Sequence, residues 1–146
     1  MKIIALLPAR LQSTRIKEKL LKKLNNIPII LHTANRVKLC SLISEVIICT
    51  DSKKIKNLAE ENDFKVLMTR KNFSNGTERI ASIINKVKAD LIIDVHADEA
   101  ILNPENLKKL INFHNKNKHF DIIVPHKKSN SSADENVVKL AFSKKN

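Results

Sequence analysis

The chain has 146 residues, of which 42% are hydrophobic and 29% charged, a balance typical of a globular domain and not of a disordered or fibrous chain. Lysine and arginine number 27 against 15 acidic residues, so the formal net charge of +12 favours anionic ligands, either macromolecular or phosphate-rich and small. The lysines are scattered and aromatic residues make up only 3%, which argues against nucleic acid, and no apolar run is long enough to span a bilayer.

The first apolar run, Ile3–Leu7, has the length of a strand buried on both faces. The stretch after it, Pro8–Lys19, reads P-A-R-L-Q-S-T-R-I-K-E-K and carries three cations and two hydroxyls: Arg10, Arg15, Lys19, Ser13 and Thr14. Such groups suit a triphosphate, because arginine offers phosphate a planar fork of donors and lysine a mobile charge. Taken alone, the residues leave two interpretations open, a phosphate-binding loop or a solvated basic loop.

The middle of the chain alternates between helical and strand patterns. Pro28 is placed for a helix start, and Asp51 with Ser52 has the composition of a helix N-cap pair. The predicted elements here are a helix over Ile27–Cys40, a strand at Glu45–Thr50, a helix over Lys53–Asn62 and a strand at Lys65–Thr69.

Gly76 is the only glycine in the chain and lies in S-N-G-T-E-R-I-A, directly before a helical pattern that extends through Lys88. Glycine permits positive φ and the close approach of a ligand, so a ligand-binding turn is one interpretation. The other is an ordinary loop that turns into a helix capped by Thr77.

The last third repeats the alternation. The predicted elements are a strand at Ala89–Val95, a helix over Asn103–Asn117, a strand at Phe120–Pro125, a mobile loop at Lys127–Asn136 and a strand at Val137–Phe142. This order predicts one α/β domain over residues 1–146, a three-layer sandwich with a mainly parallel central sheet and Ile3–Leu7 near its middle. The loops of residues 8–19, 74–78 and 96–99 should then converge on one edge of the sheet, where open α/β sheets bind ligands.

The two cysteines, Cys40 and Cys49, fall within apolar patterns and are interpreted as small core residues in a reducing compartment. The N-terminus continues directly into a strand and does not resemble a signal-peptide core. We therefore expect a cytoplasmic protein.

Several motifs resemble those of the sugar-acid cytidylyltransferases, in particular the 3-deoxy-manno-octulosonate (Kdo) cytidylyltransferase family. The family loop P-A-R-x-x-S-T-R-L-P-G-K-P-L is matched by Pro8–Lys19. The blocks T-D at Thr50–Asp51, G-T-E-R at Gly76–Arg79 and V-H-A-D-E at Val95–Glu99, where the family has V-Q-G-D-E-P, follow in the family's order. The ordered set is more specific than any single motif.

This resemblance implies a Rossmann-like nucleotidyltransferase fold and the Mg²⁺-dependent transfer of CMP from CTP to a Kdo-like sugar acid for lipopolysaccharide synthesis. A sialic-acid-like acceptor, and a truncated domain that only binds nucleotide or nucleic acid, stay as alternatives. The catalytic residues carried over are Arg10, Arg15, Lys19 and Asp98, with Asp98 also the metal ligand. The nucleotide contacts carried over are Pro8, Ala9, Arg10, Ser13, Lys19, Gly76, Thr77, Glu78 and His96, and less firmly Arg79.

The sequence departs from the family at the loops. Lys17-Glu18 replaces Pro-Gly, Asn75 replaces Ser, His96-Ala97 replaces Gln-Gly, and Ala100 replaces Pro. The resemblance implies that the family's second half carries most sugar contacts, a dimer arm and a further metal aspartate. That half has no counterpart in these residues. We therefore expect that the 146 residues alone self-associate, as a homodimer or otherwise, and do not turn over.

Overall fold

A computed structural model describes residues 1–12 and 16–126, and these build a four-stranded, wholly parallel sheet. The strand order is β5-β4-β1-β6, with β1 at Ile3–Ala9, β4 at Glu45–Thr50, β5 at Lys65–Met68 and β6 at Leu91–Asp94. β1 therefore lies between β4 and β6, with Ala9 beside Thr50 at its carboxyl end. Both the parallel sheet and the interior position of the first strand are confirmed.

Helices cover both faces of the sheet. The helices α1 (Ile29–Lys38), α2 (Lys53–Glu60) and α4 (Pro104–Lys116) contribute to the apolar core on one face, and α3 (Gly76–Ala81) packs on the other. Alternate residues of β1 enter the two cores, as the period of two in a strand requires. The three-layer prediction is therefore confirmed.

The order of the strands places a switch point beside β1. From β1 the chain proceeds outward through β4 and β5, and then returns across the sheet to form β6 on the opposite side of β1. The strands that follow β1 in the chain thus lie first on one side of it and then on the other, which opens a crevice at the carboxyl ends of β1 and β6.

The boundaries of two predicted helices are wrong. Ile27 and Pro28 form a short strand, β3, that pairs with β2 (Lys23–Leu24), so the helix begins only at Ile29. Asn25 and Asn26 both have positive φ and make the tight turn of this hairpin.

The helix predicted through Lys88 ends at Ala81, with a single 3-10 turn at Ile84–Lys86 after it. Ile83 has φ −121° and ψ 4°, outside the helical region, and its side chain is buried. The chain leaves the helix there because it must return to the start of β6.

The strand predicted at Phe120–Pro125 is not found. No described strand pairs with this segment, and Ile122 and Val124 are 81% and 59% exposed. Its apolar composition resembles a strand, but a strand needs a ladder partner for its backbone groups. The expectations for Lys127–Asn136 and Val137–Phe142 lie outside the described residues.

Among the described residues, no helix has both the length and the apolar character needed to cross a membrane.

Candidate functional site

A cleft of about 480 Å³ lies at the switch point, at the carboxyl ends of β1 and β6. Its walls come from three loops that are far apart in sequence, those after β1, before α3 and after β6. The residues that line it are Pro8, Arg10, Gln12, Ile16, Lys19, Leu20, Phe73, Asn75, Gly76, Thr77, Arg79, Asp94, His96, Ala97 and Asp98. The predicted convergence of the three loops is confirmed.

One wall of the cleft carries exposed charges. Lys19 Nζ donates to Asp98 Oδ2 at 2.5 Å, and each side chain is 37% exposed. Burial raises the pKa of Asp98, but the hydrogen bond and charge of Lys19 outweigh it and hold that pKa below its ordinary value. Two residues with predicted phosphate and metal roles therefore pair with each other.

The turn that presents Lys19 depends on an unusual residue. Glu18 has φ 51° and ψ 39°, the left-handed conformation that glycine adopts most easily. The family loop has glycine at this position, whereas this chain adopts the left-handed conformation with a glutamate. Lys54 Nζ donates to Glu18 Oε1 at 2.9 Å, and this hydrogen bond lowers the pKa of Glu18.

The opposite wall is the loop that enters α3. Asn75 caps this helix, because its Oδ1 accepts from the Glu78 backbone N–H at 2.8 Å, and Glu78 in turn accepts from the Ser74 backbone N–H at 2.9 Å. This is a reciprocal capping arrangement. The cap is thus Asn75 and not Thr77, and the Glu78 carboxylate is turned toward the loop backbone and does not line the cleft.

The role of Gly76 is to allow α3 to pack closely against β1. Its φ is not positive, so no left-handed turn requires glycine here. A Cβ at this position would lie 2.8 Å from Pro8 Cγ, closer than any real contact. The absence of a side chain allows the start of α3 to approach β1, which brings the second and first loops together in one cleft.

Among the lining residues that were not predicted as site residues, Asp94 and Phe73 make specific contacts. Thr77 Oγ1 donates to Asp94 Oδ2 at 3.1 Å, so Asp94 at the end of β6 ties the second loop to the third. Phe73 is half-buried and its ring lies against Arg79. Two features of the sequence could have indicated them. Asp94 is a polar residue at the end of an apolar strand run, and Phe73 is an aromatic residue in a polar loop.

Asp51 does not share the cap of α2. Ser52 alone accepts from the Ile55 backbone N–H, at 3.4 Å, whereas Asp51 Oδ2 lies 3.6 Å from Arg79 Nη2. The predicted N-cap is therefore confirmed for Ser52 and wrong for Asp51.

The structure divides the predicted site residues into three groups. Those that line the cleft are Pro8, Arg10, Lys19, Gly76, Thr77, His96, Asp98 and Arg79. Ala9 is fully buried in β1, and Glu78 belongs to the cap. Ser13 and Arg15 lie outside the described residues. The roles assigned to all of these residues stay predictions.

The carboxylates suit magnesium better than a metal that needs a full protein cage. No group of three or more histidine, cysteine or acidic side chains occurs among residues 1–12 and 16–126 in a metal-binding arrangement. Mg²⁺ takes oxygen ligands, keeps several waters and is commonly held by one or two carboxylates plus substrate phosphates. Asp98, with Asp94 also lining the cleft, fits that pattern.

Neither cysteine belongs to the site. Both are buried and free, and burial raises the pKa of the Cys49 thiol to about 12 although the charge of Arg79 opposes this. A thiol with such a pKa is not a nucleophile near neutral pH.

Comparisons with known proteins agree on one family. The family model described as cytidylyltransferase matches residues 4–146. The 3-deoxy-manno-octulosonate cytidylyltransferase of Chloroherpeton thalassium is 37% identical over 111 residues, which cover 76% of this chain and 45% of that protein. The protein of the same name from Wigglesworthia glossinidia brevipalpis is 34% identical over 150 residues, which cover 97% of this chain and 60% of that protein.

A solved structure agrees with the predicted fold. The CMP:2-keto-3-deoxy-manno-octonic acid synthetase complexed with CTP superposes with a TM-score of 0.78 at 27% identity, over 81% of this chain and 49% of that one. The Rossmann-like nucleotidyltransferase fold and the resemblance to Kdo cytidylyltransferases are both confirmed. The chain spans about half the length of the curated relatives it matches.

Proposed function

This chain belongs to the cytidylyltransferase family, and from that premise we propose that it binds CTP in the cleft and takes part in transferring CMP to a Kdo-like sugar acid. In this reaction an acceptor hydroxyl oxygen attacks the α-phosphorus, the bond to the β-phosphate oxygen breaks, pyrophosphate leaves and the hydroxyl proton is released. The product serves lipopolysaccharide synthesis, and the location proposed is the cytoplasm.

The observation that carries the proposal is the meeting of Arg10, Lys19 and Asp98 in one cleft at the switch point. Phosphoryl transfer needs cations near the phosphates and leaving group more than it needs a covalent residue. Arg10 and Lys19 would hold phosphate oxygens, together with Arg15 and Ser13 by resemblance. The second cleft, beside β6 and α4, has no lysine or arginine in its lining.

Magnesium would be held by Asp98 and phosphate oxygens, where it neutralises charge that develops on the leaving pyrophosphate. Lys19 would exchange Asp98 for triphosphate oxygens, which would free the carboxylate to hold the metal. The 37% exposure of both side chains makes this exchange inexpensive, because solvent already screens the pair.

The first test is binding, because it depends on the half of the fold that is present. Calorimetry should give CTP affinity that depends weakly on salt, with weaker binding of UTP. Single-stranded DNA should bind weakly and with a steep salt dependence, as expected of non-specific charge attraction. Equal binding of all three ligands with steep salt dependence would contradict the proposal and favour a nucleic-acid-binding domain.

The second test is turnover. Pyrophosphate release is measured with CTP and Mg²⁺ in the presence of Kdo, a sialic acid, or no acceptor. Release that requires Kdo supports the proposed acceptor, and release that requires the sialic acid assigns the alternative one. Because this chain spans about half of its relatives, we expect release well below the order of 1 s⁻¹ that is ordinary for metabolic enzymes.

Self-association is part of the proposal. Apolar side chains that follow β6 in the chain are exposed, including Ile101 at 89% and Ile122 at 81%. Exposed apolar surface of this kind favours association, as a homodimer or in larger assemblies. Light scattering over a range of concentrations, run beside the turnover assay, measures it.

A further inference from the structure

Arg79 stands apart from the other cations because it is buried. Only 5% of it is exposed, although it lies beside a cleft whose other charges face solvent. An arginine in such a place requires partners, since an unpaired buried charge is strongly destabilising. The identity of those partners shows what the residue holds together.

The guanidinium of Arg79 joins two strand ends to α3. Its Nη1 donates to the Thr69 hydroxyl and to the Arg70 carbonyl oxygen, the latter at 3.3 Å, both directly after β5. Its Nη2 lies 3.6 Å from Asp51 Oδ2, directly after β4. A planar fork of donors can make these contacts at the same time, whereas a lysine ammonium cannot reach them all.

The same group supports the aromatic residue of the cleft wall. The guanidinium carbon of Arg79 lies 5.3 Å from the centroid of the Phe73 ring, within the range of a cation–π contact. Phe73 lies in the loop of residues 69–75, which has no regular secondary structure. Arg79 is thus the element that holds this loop at its first residues and again at its aromatic ring.

We propose that Arg79 is a positioning residue: it orders the loop of residues 69–75, and through Phe73 it sets the wall of the cleft that faces the nucleoside part of the ligand. This rests on the proposed function for the identity of the ligand. Under the proposed function Lys19 on the opposite wall would hold the phosphates, so loss of Arg79 should weaken recognition of the nucleoside and leave recognition of the phosphates intact.

The experiment compares the dissociation constants of CTP and of inorganic tripolyphosphate, measured by calorimetry well below the unfolding temperature. Arg79→Met should weaken CTP about fivefold to tenfold, the scale of ordering one or two side chains on binding, and change tripolyphosphate by less than about twofold. Arg79→Lys should restore part of the loss. Arg70→Met is the matched control, because it removes the same charge from the same loop and its side chain is exposed.

Hydrogen exchange without nucleotide separates positioning from direct contact. Amides of residues 70–75 should exchange faster in Arg79→Met than in Arg70→Met, and unchanged exchange would overturn the proposal. Equal losses for CTP and tripolyphosphate would also overturn it. If the wild type does not bind CTP, the proposed function fails, but the exchange experiment still decides the positioning role.

A second variant protects the test against misfolding. Thr69→Val removes one acceptor and keeps the buried guanidinium, so it should shift the ratio of the two dissociation constants in the same direction by a smaller factor. A Thr69→Val protein with faster exchange and an unchanged ratio would contradict the proposed link between the loop and the nucleoside wall.

Discussion

The two walls of the cleft are built on different physical principles. The wall with Lys19 and Asp98 consists of an exposed ion pair, whose partners are free to exchange for a ligand at low cost. The wall with Gly76 and Arg79 is held by close packing and buried contacts, so a change there must disturb the fold. We therefore expect ion-pair partners to exchange for ligand groups at the first wall, and the second wall to keep its shape.

The largest effect is expected from the exchangeable wall. Lys19→Met should weaken CTP binding by about 2 kcal/mol, roughly 30-fold, because a charge-assisted contact is lost and Asp98 is left to repel the triphosphate. Calorimetry measures the affinity, and the free energy of unfolding should hardly change. Lys17→Met is the control, since it removes an exposed charge from the same loop. Equal loss in both variants would mean that only net charge matters.

The packed wall should behave in the opposite way. Gly76→Ala places a methyl group against the Pro8 ring and should lower the free energy of unfolding by about 1–2 kcal/mol, an overpacking cost reduced by alanine's better helix propensity. Chemical denaturation measures this. In a double-mutant cycle, Pro8→Ala should recover part of the loss. Additive single effects would show that the two residues do not press on each other.

The fold and the convergence of the loops could be predicted from the sequence, because apolar runs of strand length alternate with helical patterns along the chain. Parallel strands must place their carboxyl ends together, so a polar motif after each strand predicts a shared site. The reason for Gly76 could not be predicted in this way. Whether glycine serves a turn, a ligand or a neighbour depends on what lies beside it, and here the neighbour is 68 residues earlier in the chain, at Pro8.

The partners of individual side chains and strands could not be predicted from the sequence either. Asp51 was expected in a helix cap because it is next to Ser52, but a buried arginine from another helix takes it. The predicted strand at Phe120–Pro125 had suitable residues and lacked a described partner. Local composition predicts what a segment is able to do, and tertiary contacts decide what it does.

A smaller effect is expected at the metal. Asp98→Asn should raise CTP affinity in EDTA by about 1 kcal/mol, since Lys19 is released to the phosphates, and should abolish most of the gain that Mg²⁺ gives the wild type. Glu99→Gln is the matched control, because Glu99 is adjacent and does not line the cleft. Titrations of CTP with and without Mg²⁺ provide the comparison. A wild-type response to Mg²⁺ in Asp98→Asn would exclude Asp98 as the ligand.

The smallest effect is expected at Glu18, where the exchangeable wall contains a strained residue. A non-glycine residue in the left-handed region costs on the order of 1 kcal/mol, and glycine removes this cost at the expense of greater freedom in the unfolded chain.

Glu18→Gly also loses the exposed pair with Lys54, which contributes little because solvent screens it. The net result should be a gain of about 0.5 kcal/mol in the free energy of unfolding. Two controls divide the contributions: Glu18→Gln keeps the strain and loses the charge, and Lys54→Met removes the partner only. Both should be neutral or slightly destabilising. If Glu18→Gly is the least stable of the three, the strain relieved at the left-handed residue is smaller than the freedom that glycine adds to the unfolded chain, and the expected gain from the backbone is contradicted.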